Sequence, residues 1–508
     1  MKNILFLLLI CCGLQLSAQT TKPLTIEDKK RDAYMSGRKP ATLTVQITNL
    51  PESVKKVNVK CTLVQLGLGF QTDRYAETDA KGTLTMTLEQ NLPYQQIWLN
   101  VDNYLYAGIY VNEGLTVNID AQKVPKNGAY MIGEGVSYTG RDGELNTVMN
   151  NNTMYKKGER ENIFNSLREL GDKRKNYPAA SFEFKTDSIM QQLTKLDDEF
   201  IAGYPNYAWA VHDETLSQAY GMLCLSYINA QMPAKLYEQI SKHQPYFTSN
   251  DGALFYRYLD YYSLSGQRIK ANNIVAGTLN VFDSLFTQQK ADVLKLYLLH
   301  DQTDNYTGAY PQIINSIKTK WIKKVATDEM AKATAKQKRI DSLFATSKKI
   351  ENADIGTPLV HLPFDANLYQ LDTITNIDNF IVSLKQKFAK KALVIDFWAT
   401  WCAPCLADMP FSKKLHESNK DLPIEYIYLC TTSGSSIDIW KNRVADLQLP
   451  GTHIYVNDKI ITQLKTAFNA TSGFPAYVIV DINGKANSKA ISRMEMLNRE
   501  SLNKAAGL

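Results

Sequence analysis

Apolar and polar residues alternate along residues 41–120, in short runs that are separated by turn-forming segments. An alternation with a period of two is typical of a β-strand that buries one of its faces. Five strands of this kind are predicted, and their apolar positions are Leu43, Val45 and Ile47; Val57, Val59, Cys61 and Leu63; Leu84, Met86 and Leu88; Ile97, Leu99 and Val101; and Leu115, Val117 and Ile119. Short strands with this punctuation predict an antiparallel β-sandwich or a half-barrel.

After Asn150 the spacing of the apolar residues becomes helical. Apolar residues at positions 189, 193, 196 and 200 predict an amphipathic helix, which Asp187 or Ser188 is placed to cap. Further helices are predicted over residues 215–231, 277–300 and 311–349. This part of the chain contains no recognisable catalytic motif, and its aromatic residues at helical spacing are interpreted as core.

The length of 508 residues corresponds to about three domains. The segment 355–358 (Ile-Gly-Thr-Pro) breaks the helical pattern, so a further domain is expected to begin close to it. We predict a signal peptide over residues 1–18, a β-rich accessory domain over 19–150, a helical accessory domain over 151–350 and an α/β domain over 351–508.

The first eighteen residues indicate export. Lys2 supplies a short positive region, residues 4–16 are largely apolar, and Ala18 offers a small residue at a cleavage position. The apolar run is shorter than the ~20 residues that a spanning helix requires. We therefore predict a periplasmic or cell-envelope protein that is soluble after cleavage, and the sequence leaves open a lipoprotein that is modified at Cys11 or Cys12.

Composition and charge exclude several classes of protein. With 44% hydrophobic and 21% charged residues, the chain is neither disordered throughout, collagen-like nor a multi-span membrane protein. A net charge of +6 over this length is too weak to predict a nucleic-acid partner. Residues 318–349 hold ten Lys or Arg and three acidic residues, which favours a solvated helix and leaves open an electrostatic partner surface.

The segment with the clearest chemistry is residues 393–405, Leu-Val-Ile-Asp-Phe-Trp-Ala-Thr-Trp-Cys-Ala-Pro-Cys. Its first half is typical of a buried strand, and residues 406–417 have helical character, so a C-x-x-C motif lies between a strand and a helix. Cys402 would lie at the helix N-terminus, where the helix dipole stabilises a thiolate and typically lowers its pKa from ~8.5 towards ~7 or below. Cys405, one turn later, would be near enough to attack a mixed disulfide.

Two other interpretations of the motif are weaker. A zinc site would need two further Cys or His ligands at comparable spacing, and His416 and His453 are isolated. A purely structural disulfide across so small a loop would stabilise the fold little. Dithiol–disulfide chemistry is therefore the favoured function of the pair, without a metal or an organic cofactor.

The same segment carries a resemblance to a known family. Residues 355–508 resemble the TlpA/ResA-like branch of exported thiol–disulfide oxidoreductases, which have a thioredoxin fold. The segment 472–481, Ser-Gly-Phe-Pro-Ala-Tyr-Val-Ile-Val-Asp, and the Asn-Gly turn at 483–484 resemble the family's cis-proline loop and the hairpin that follows it. The resemblance implies a mixed sheet of four or five strands that is flanked by helices.

Residue by residue, the resemblance assigns roles within this motif. Cys402 matches the attacking cysteine and Cys405 matches the resolving cysteine. Asp396 matches the buried acid that assists proton transfer at the second cysteine. Pro475 matches the cis-proline that faces the disulfide and helps to dock an extended substrate, and Trp401 matches the aromatic residue beside the motif.

The sequence also departs from the family pattern. The triplet Asp408-Met409-Pro410 stands where relatives often carry Glu-x-Pro, and Ala476 follows the proline where Thr is common. Both departures are expected to affect substrate preference rather than sulfur chemistry. The strands and helices before residue 351 resemble, in pattern only, the accessory regions of Bacteroidetes envelope members.

The resemblance implies an exported enzyme that exchanges disulfides with envelope proteins. The pair Ala403-Pro404 is similar to the dipeptides of reducing relatives, so we predict a reductase that a membrane electron donor re-reduces. Apocytochrome c thiols and misoxidised envelope proteins are the substrates that the resemblance suggests. Two alternatives stay open: a peroxidase on the same fold, and an envelope binding or scaffold protein with a regulatory redox domain.

Three further cysteines lie outside the motif. Cys61 falls on the apolar face of its strand, Cys224 lies in a helical run, and Cys430 ends an apolar run, so each is interpreted as a buried core residue. Disulfide connectivity cannot be deduced from spacing alone, so a bond between Cys61 and Cys224 stays open.

Overall fold

The computed structural model describes residues 40–64, 71–88, 92, 94–125, 131–265, 274–299, 309–352, 354–374 and 376–508. The chain divides into two compact units, one that ends at Asp328 and one that comprises Glu329–Leu508. The predicted signal peptide and both cysteines near it lie outside the described residues. Among the helices that are described, none has an apolar stretch of the length needed to cross a membrane.

The first unit begins with two four-stranded sheets. The strands are β1 (Ala41–Thr48), β2 (Asn58–Val64), β3 (Gln71–Glu77), β4 (Thr83–Leu88), β5 (Gln95–Val101), β6 (Leu105–Val111), β7 (Gly114–Asp120) and β8 (Val136–Thr139). One sheet has the order β4-β1-β7-β8 and the other the order β3-β2-β5-β6. The apolar residues of both sheets form one core, which confirms the predicted sandwich.

The prediction of a purely antiparallel sandwich is wrong at one pair of strands. β1 and β7 are parallel neighbours, with Leu43 opposite Leu115 and Val45 opposite Val117. The alternation of apolar residues shows which face of a strand is buried but carries no information about strand direction. The connection from β1 to β7 contains five other strands, so parallel pairing needs no tight turn.

Helices complete the first unit, with α10 crossing into the second. They are α1 (Gly143–Met154), α2 (Lys157–Asp172), α3 (Ala179–Ile201), α4 (Ala208–Ser226), α5 (Ala234–Lys242), α6 (Asn250–Leu264), α7 (Ile274–Leu285), α8 (Gln288–Leu298), α9 (Tyr310–Ser316) and α10 (Lys320–Ala345). The prediction that Asp187 or Ser188 caps a helix is wrong. Helix α3 begins eight residues before Asp187, directly after Pro178. Pro178 is the N-cap of this helix, a position whose N–H takes part in no intrahelical hydrogen bond, so the missing N–H of proline costs nothing there.

Buried polar contacts join the sandwich to these helices. The backbone N–H of Tyr110 on β6 donates to the side chain of Asn146 on α1 at 2.7 Å. The Tyr110 hydroxyl donates to Glu214 on α4 at 3.0 Å, and burial together with nearby carboxyl groups raises the pKa of Glu214 well above its ordinary value. The β-rich and helical parts therefore belong to one compact unit.

The second unit is built on a mixed sheet. Its strands are β9 (Thr357–Leu362), β10 (Ala366–Leu371), β11 (Ala392–Trp398), β12 (Ile424–Thr431), β13 (Gly451–Val456), β14 (Ala476–Val480) and β15 (Ala486–Asn487), in the order β15-β14-β11-β12-β13-β10-β9. The expectation of four or five strands is too low, because β9 and β10 form a hairpin that extends the sheet beside β13. The remaining helices are α11 (Ile377–Lys387), α12 (Ala403–Ser418), α13 (Ile437–Leu447), α14 (Asp458–Ala467) and α15 (Arg499–Ala506).

Both faces of this sheet are buried. All seven residues of β11 are buried, and alternate residues along it face opposite cores. Leu393, Ile395 and Phe397 belong to one core, whereas Val394 and Trp398 belong to the other. A central strand that is covered on both sides is therefore a nearly continuous apolar run, as the sequence shows.

Candidate active site

Strand β11 determines where the chemistry lies. Residues 394, 396 and 398 share one face because side chains alternate along a strand. Val394 and Trp398 on this face belong to the same core as Cys402 and Cys405. Asp396 therefore lies on the side of the sheet that carries the two cysteines.

Cys402 and Cys405 form a disulfide with a Cα–Cα distance of 5.3 Å. Cys402 is the N-cap of α12, and its Sγ accepts a hydrogen bond from the backbone N–H of Cys405 at 3.2 Å. Pro404 occupies the first turn of the helix, where its fixed φ is compatible with the start. Both sulfur-bearing side chains are almost fully buried, at 3% exposure for Cys402 and 1% for Cys405.

Asp396 is a buried carboxyl group beneath this helix. Its Oδ1 accepts no hydrogen bond from any residue that the structure describes. Burial raises the pKa of the Asp396 carboxyl well above its ordinary value, and the neighbouring Asp408 raises it further. An isolated carboxyl group in an apolar site favours its neutral form because the charged form loses hydration. Asp396 is thus suited to exchange a proton at higher pH than an ordinary Asp.

Asp408 lies one turn after Cys405 on α12 and is also buried. Its Oδ2 accepts hydrogen bonds from the hydroxyl group of Tyr477 and, at 2.8 Å, from the backbone N–H of Met494. In the sequence, Asp408 stands out only as a departure from a family pattern, which does not indicate this role. The available signal was the i, i+3 spacing from Cys405, which puts both residues on the buried face of the helix.

The loop before β14 contains a cis peptide bond between Phe474 and Pro475. Phe474 is partly buried against the core that includes the two cysteines. Its ring also lies in an edge-to-face contact with Trp401, with 6.0 Å between the ring centroids. The loop and the C-x-x-C motif, which are about seventy residues apart in sequence, are therefore neighbours in the fold.

Trp401 borders the disulfide at the surface and is 55% exposed. Its indole N–H donates to the carbonyl oxygen of Ser433 at 2.7 Å, which fixes the ring against the loop after β12. Gly434 in this loop has a φ of +66°, and a Cβ atom there would lie 2.9 Å from the Trp401 Nε1. Glycine at position 434 therefore allows the ring to lie close to the backbone.

The other cysteines of the described residues are free thiols. Cys61, Cys224 and Cys430 are all buried, and none of them forms a disulfide. Cys61 and Cys224, whose pairing the sequence left open, are therefore not bonded to each other. Burial raises the pKa of both Cys61 and Cys224 to about 12. Cys430, on β12, also has a strongly raised pKa, which makes it a poor nucleophile. Across the described residues, no group of His, Cys, Asp or Glu is arranged to hold a metal ion.

A family model matches the region that contains the site. The Redoxin family model matches residues 372–498. The thiol-disulfide oxidoreductase ResA of Bacillus thuringiensis subsp. konkukian is 34% identical over 56 residues, which is 11% of this chain and 32% of that protein. The mitochondrial thioredoxin-3 of Saccharomyces cerevisiae is 35% identical over 65 residues, which is 13% of this chain and 49% of that protein.

Residues 372–498 are similar to proteins of the thioredoxin superfamily. Among solved structures, a putative thiol-disulfide oxidoreductase from Bacteroides vulgatus is 25% identical, with a TM-score of 0.20, and the match covers 24% of this chain and 76% of that chain. The chain spans about a third of the length of the ResA proteins that it matches, 32% in the first of them. The match to the family model lies within the second unit, Glu329–Leu508.

Proposed function

We propose that the thioredoxin-like domain is a thiol–disulfide oxidoreductase that exchanges disulfides with proteins through Cys402 and Cys405. The observation that carries the proposal is the disulfide at the N-terminus of α12, which adjoins a cis-proline loop and lies on the same side of the sheet as a buried carboxyl group. The ResA proteins that this chain resembles carry the name thiol-disulfide oxidoreductase. Two adjacent sulfurs at a helix N-terminus are the arrangement that thiolate exchange requires.

In the reducing direction, the reaction begins with both cysteines as thiols. The Cys402 thiolate attacks one sulfur of a substrate disulfide, forms a mixed disulfide and releases the first substrate thiolate, which takes up a proton. The Cys405 thiolate then attacks the Cys402 sulfur, which restores the intramolecular disulfide and releases the second substrate thiolate. Two electrons pass from the cysteine pair to the substrate, and an external dithiol must return them before the next cycle.

In its ionised form, Asp396 would accept the proton of Cys405 in the second step. A carboxyl group with an ordinary pKa would be a weak base for a thiol, because the two pKa values are far apart. The raised pKa of Asp396 narrows that difference. The proton then returns to water when the pair is oxidised.

The direction of the reaction and its location belong to the same proposal. The Ala403-Pro404 dipeptide supports a reductase, and the apolar run after Lys2 supports export to the periplasm or cell envelope. In an oxidising compartment a reductase needs a source of electrons, so the proposal includes a membrane electron donor. Protein disulfides of the envelope, including those of apocytochrome c, would then be the substrates.

Substitution of each cysteine tests the chemistry. Cys402→Ser abolishes reduction of insulin disulfides by the full chain, because no nucleophile remains at the helix N-terminus. Cys405→Ser accumulates mixed disulfides with the substrate, which non-reducing electrophoresis detects, because nothing resolves them. Cys430→Ala is the matched control from the same domain and retains activity, since its buried thiol takes no part.

Two results would contradict the proposal. Full activity of both active-site variants would exclude exchange through this pair. Consumption of hydrogen peroxide at a rate that exceeds insulin reduction would instead favour the peroxidase alternative.

A further inference from the structure

Lys465 occupies an unusual position on α14, the helix that precedes the cis-proline loop. Its side chain is half-buried, and its ammonium group donates hydrogen bonds to the carbonyl oxygens of Ser472 and, at 3.1 Å, of Gly473. The same ammonium group lies 4.4 Å from the centroid of the Phe474 ring. One side chain therefore contacts three consecutive residues immediately before Pro475.

These contacts hold the loop between α14 and β14. The loop leaves α14 through a backbone hydrogen bond from Ala470 N–H to the Lys465 carbonyl oxygen at 2.8 Å, and it ends where β14 begins at Ala476. Hydrogen bonds from a charged donor are stronger than those between neutral groups. A cation over an aromatic face adds a further attraction, which increases as the site is removed from water.

The position of Phe474 connects this fastening to the disulfide. Its ring contacts the Lys465 ammonium group and also meets the exposed ring of Trp401 at 6.0 Å. Trp401 directly precedes Cys402, and its indole N–H is held by Ser433. Lys465, Phe474 and Trp401 thus form a continuous row from α14 to the edge of the disulfide, which we call the Lys465 row.

We infer that Lys465 is a positioning residue for exchange with protein substrates: it holds the Ser472–Pro475 loop so that Phe474 and Trp401 form a preformed surface beside Cys402. This inference rests on the proposed function. A polypeptide must contact the loop and the Trp401 ring as its disulfide reaches Cys402, whereas a small disulfide needs access to the sulfur alone. Loss of the row therefore weakens binding of protein substrates and leaves the sulfur chemistry intact.

Three variants of the full chain test this role. Lys465→Met keeps the length of the side chain but removes its donors and its charge, Lys465→Arg keeps both, and Lys459→Met changes an exposed lysine of the same helix. For reduction of insulin, Lys465→Met raises KM about tenfold, which is about 1.4 kcal/mol of binding free energy. Its kcat with insulin and its rate with 5,5′-dithiobis(2-nitrobenzoate) stay close to those of the unmodified protein, and Lys465→Arg restores the KM.

Several outcomes would overturn the inference. They are an unchanged KM in Lys465→Met, an equal rise in KM in Lys459→Met, an equal loss of rate with the small disulfide, and a failure of Arg to restore KM. If Lys465→Met does not fold, Phe474→Leu replaces it, because this change removes the ring that the ammonium group and Trp401 contact. The same rise in KM is then expected, and an unchanged KM would count against the row.

Hydrogen–deuterium exchange separates the inference from the proposed function. Amide exchange in peptides that cover residues 471–478 is faster in Lys465→Met and unchanged in Lys459→Met, whether or not the protein reduces disulfides. If the unmodified chain reduces neither insulin nor the small disulfide, the proposed function fails, and the exchange rates alone decide whether Lys465 holds the loop. Equal exchange in all variants would reject the positioning role.

Discussion

At the scale of single residues, the most unusual group is the carboxyl group of Asp396. It lies on a central strand with an oxygen that accepts no hydrogen bond from the described residues, and it lies close to a second buried carboxyl group, that of Asp408. Such a site destabilises the charged form of the side chain and thus the folded protein at neutral pH. An apolar residue at this position would not lower the free energy of unfolding in this way, so stability alone does not explain an Asp here.

Asp396→Asn is expected to stabilise the second unit increasingly as the pH rises, and to slow disulfide exchange. The pKa of Asp396 is raised in the folded state. Above the unfolded-state pKa of ~3.9, the folded protein therefore holds a proton that the unfolded chain releases. The free energy of unfolding then falls by about 1.4 kcal/mol per pH unit until the folded-state pKa is reached. Asn does not titrate, so the free energy of unfolding of Asp396→Asn does not fall with pH in this way. Urea unfolding between pH 4 and 8 measures the difference, and insulin reduction measures the rate.

The control for this prediction is Asp438→Asn, which changes an exposed carboxyl group on α13. Because the side chain is exposed, the substitution is expected to change the free energy of unfolding little. Any packing cost of the new amide at position 396 is independent of pH. The informative quantity is therefore the change with pH of the difference in unfolding free energy between Asp396→Asn and the unmodified protein. A difference between Asp396→Asn and the unmodified protein that stays constant from pH 4 to 8 would contradict the proposed protonation.

At the scale of elements, α12 is attached to the sheet through Asp408. Its carboxyl group accepts from the hydroxyl group of Tyr477 on β14 and from the backbone N–H of Met494 in the segment before α15. This contact joins the helix that carries the cysteines to the strand that follows the cis-proline loop. The buried carboxyl group of Asp408 therefore helps to fix the position of the two halves of the site relative to each other.

Asp408→Ala is expected to lower the free energy of unfolding of the second unit by about 2–4 kcal/mol, because it leaves two buried donors without an acceptor. Tyr477→Phe removes the hydroxyl group itself, so no buried donor is left without an acceptor. The free energy of unfolding is therefore expected to fall by only about 1 kcal/mol. Chemical denaturation of both variants and of the double variant measures the coupling. Strictly additive effects would show that Asp408 and Tyr477 do not stabilise each other.

At the scale of the whole molecule, the second unit begins within α10 rather than after it. Ile340 on this helix is 1% exposed, and it belongs to the core that contains the cysteines, with Leu343 and Phe344 packed against it. Arg339 forms an ion pair with Asp446 on α13 at 2.8 Å. The end of α10 thus contributes apolar contacts to the thioredoxin-like domain.

A fragment that comprises residues 329–508 is therefore expected to be more stable than one that comprises 351–508. Removal of one fully buried Ile side chain costs about 2–5 kcal/mol, and the two neighbouring side chains add to this. Thermal unfolding followed by circular dichroism compares the two fragments. Equal unfolding temperatures would show that the end of α10 is dispensable and would support the boundary near residue 350 that the sequence predicts.

The local pattern of the sequence determined most of the elements and the immediate surroundings of the cysteines. Strands β1, β2, β4, β5 and β7 follow from period-two alternation, and a C-x-x-C motif between a buried strand and a helix places Cys402 at an N-terminus. These features depend on residues within a few positions of one another, which is the range over which periodicity and capping act. The roles that the family resemblance assigns to Asp396, Pro475 and Trp401 remain predictions, as do the domain boundaries.

Only the tertiary structure decided what lies beside what. Strands β3, β6 and β8, which the sequence did not predict, are edge strands of their sheets. Strand β3 is largely polar, and α1 lies against β6, so β3 and β6 do not show a clean alternation of buried and exposed residues. Parallel pairing of β1 with β7, the bond from Tyr477 to Asp408 and the contacts from Lys465 to the loop before Pro475 all join residues through the fold. Local propensity cannot encode such contacts, because the free energy of each depends on partners that only the folded chain brings together.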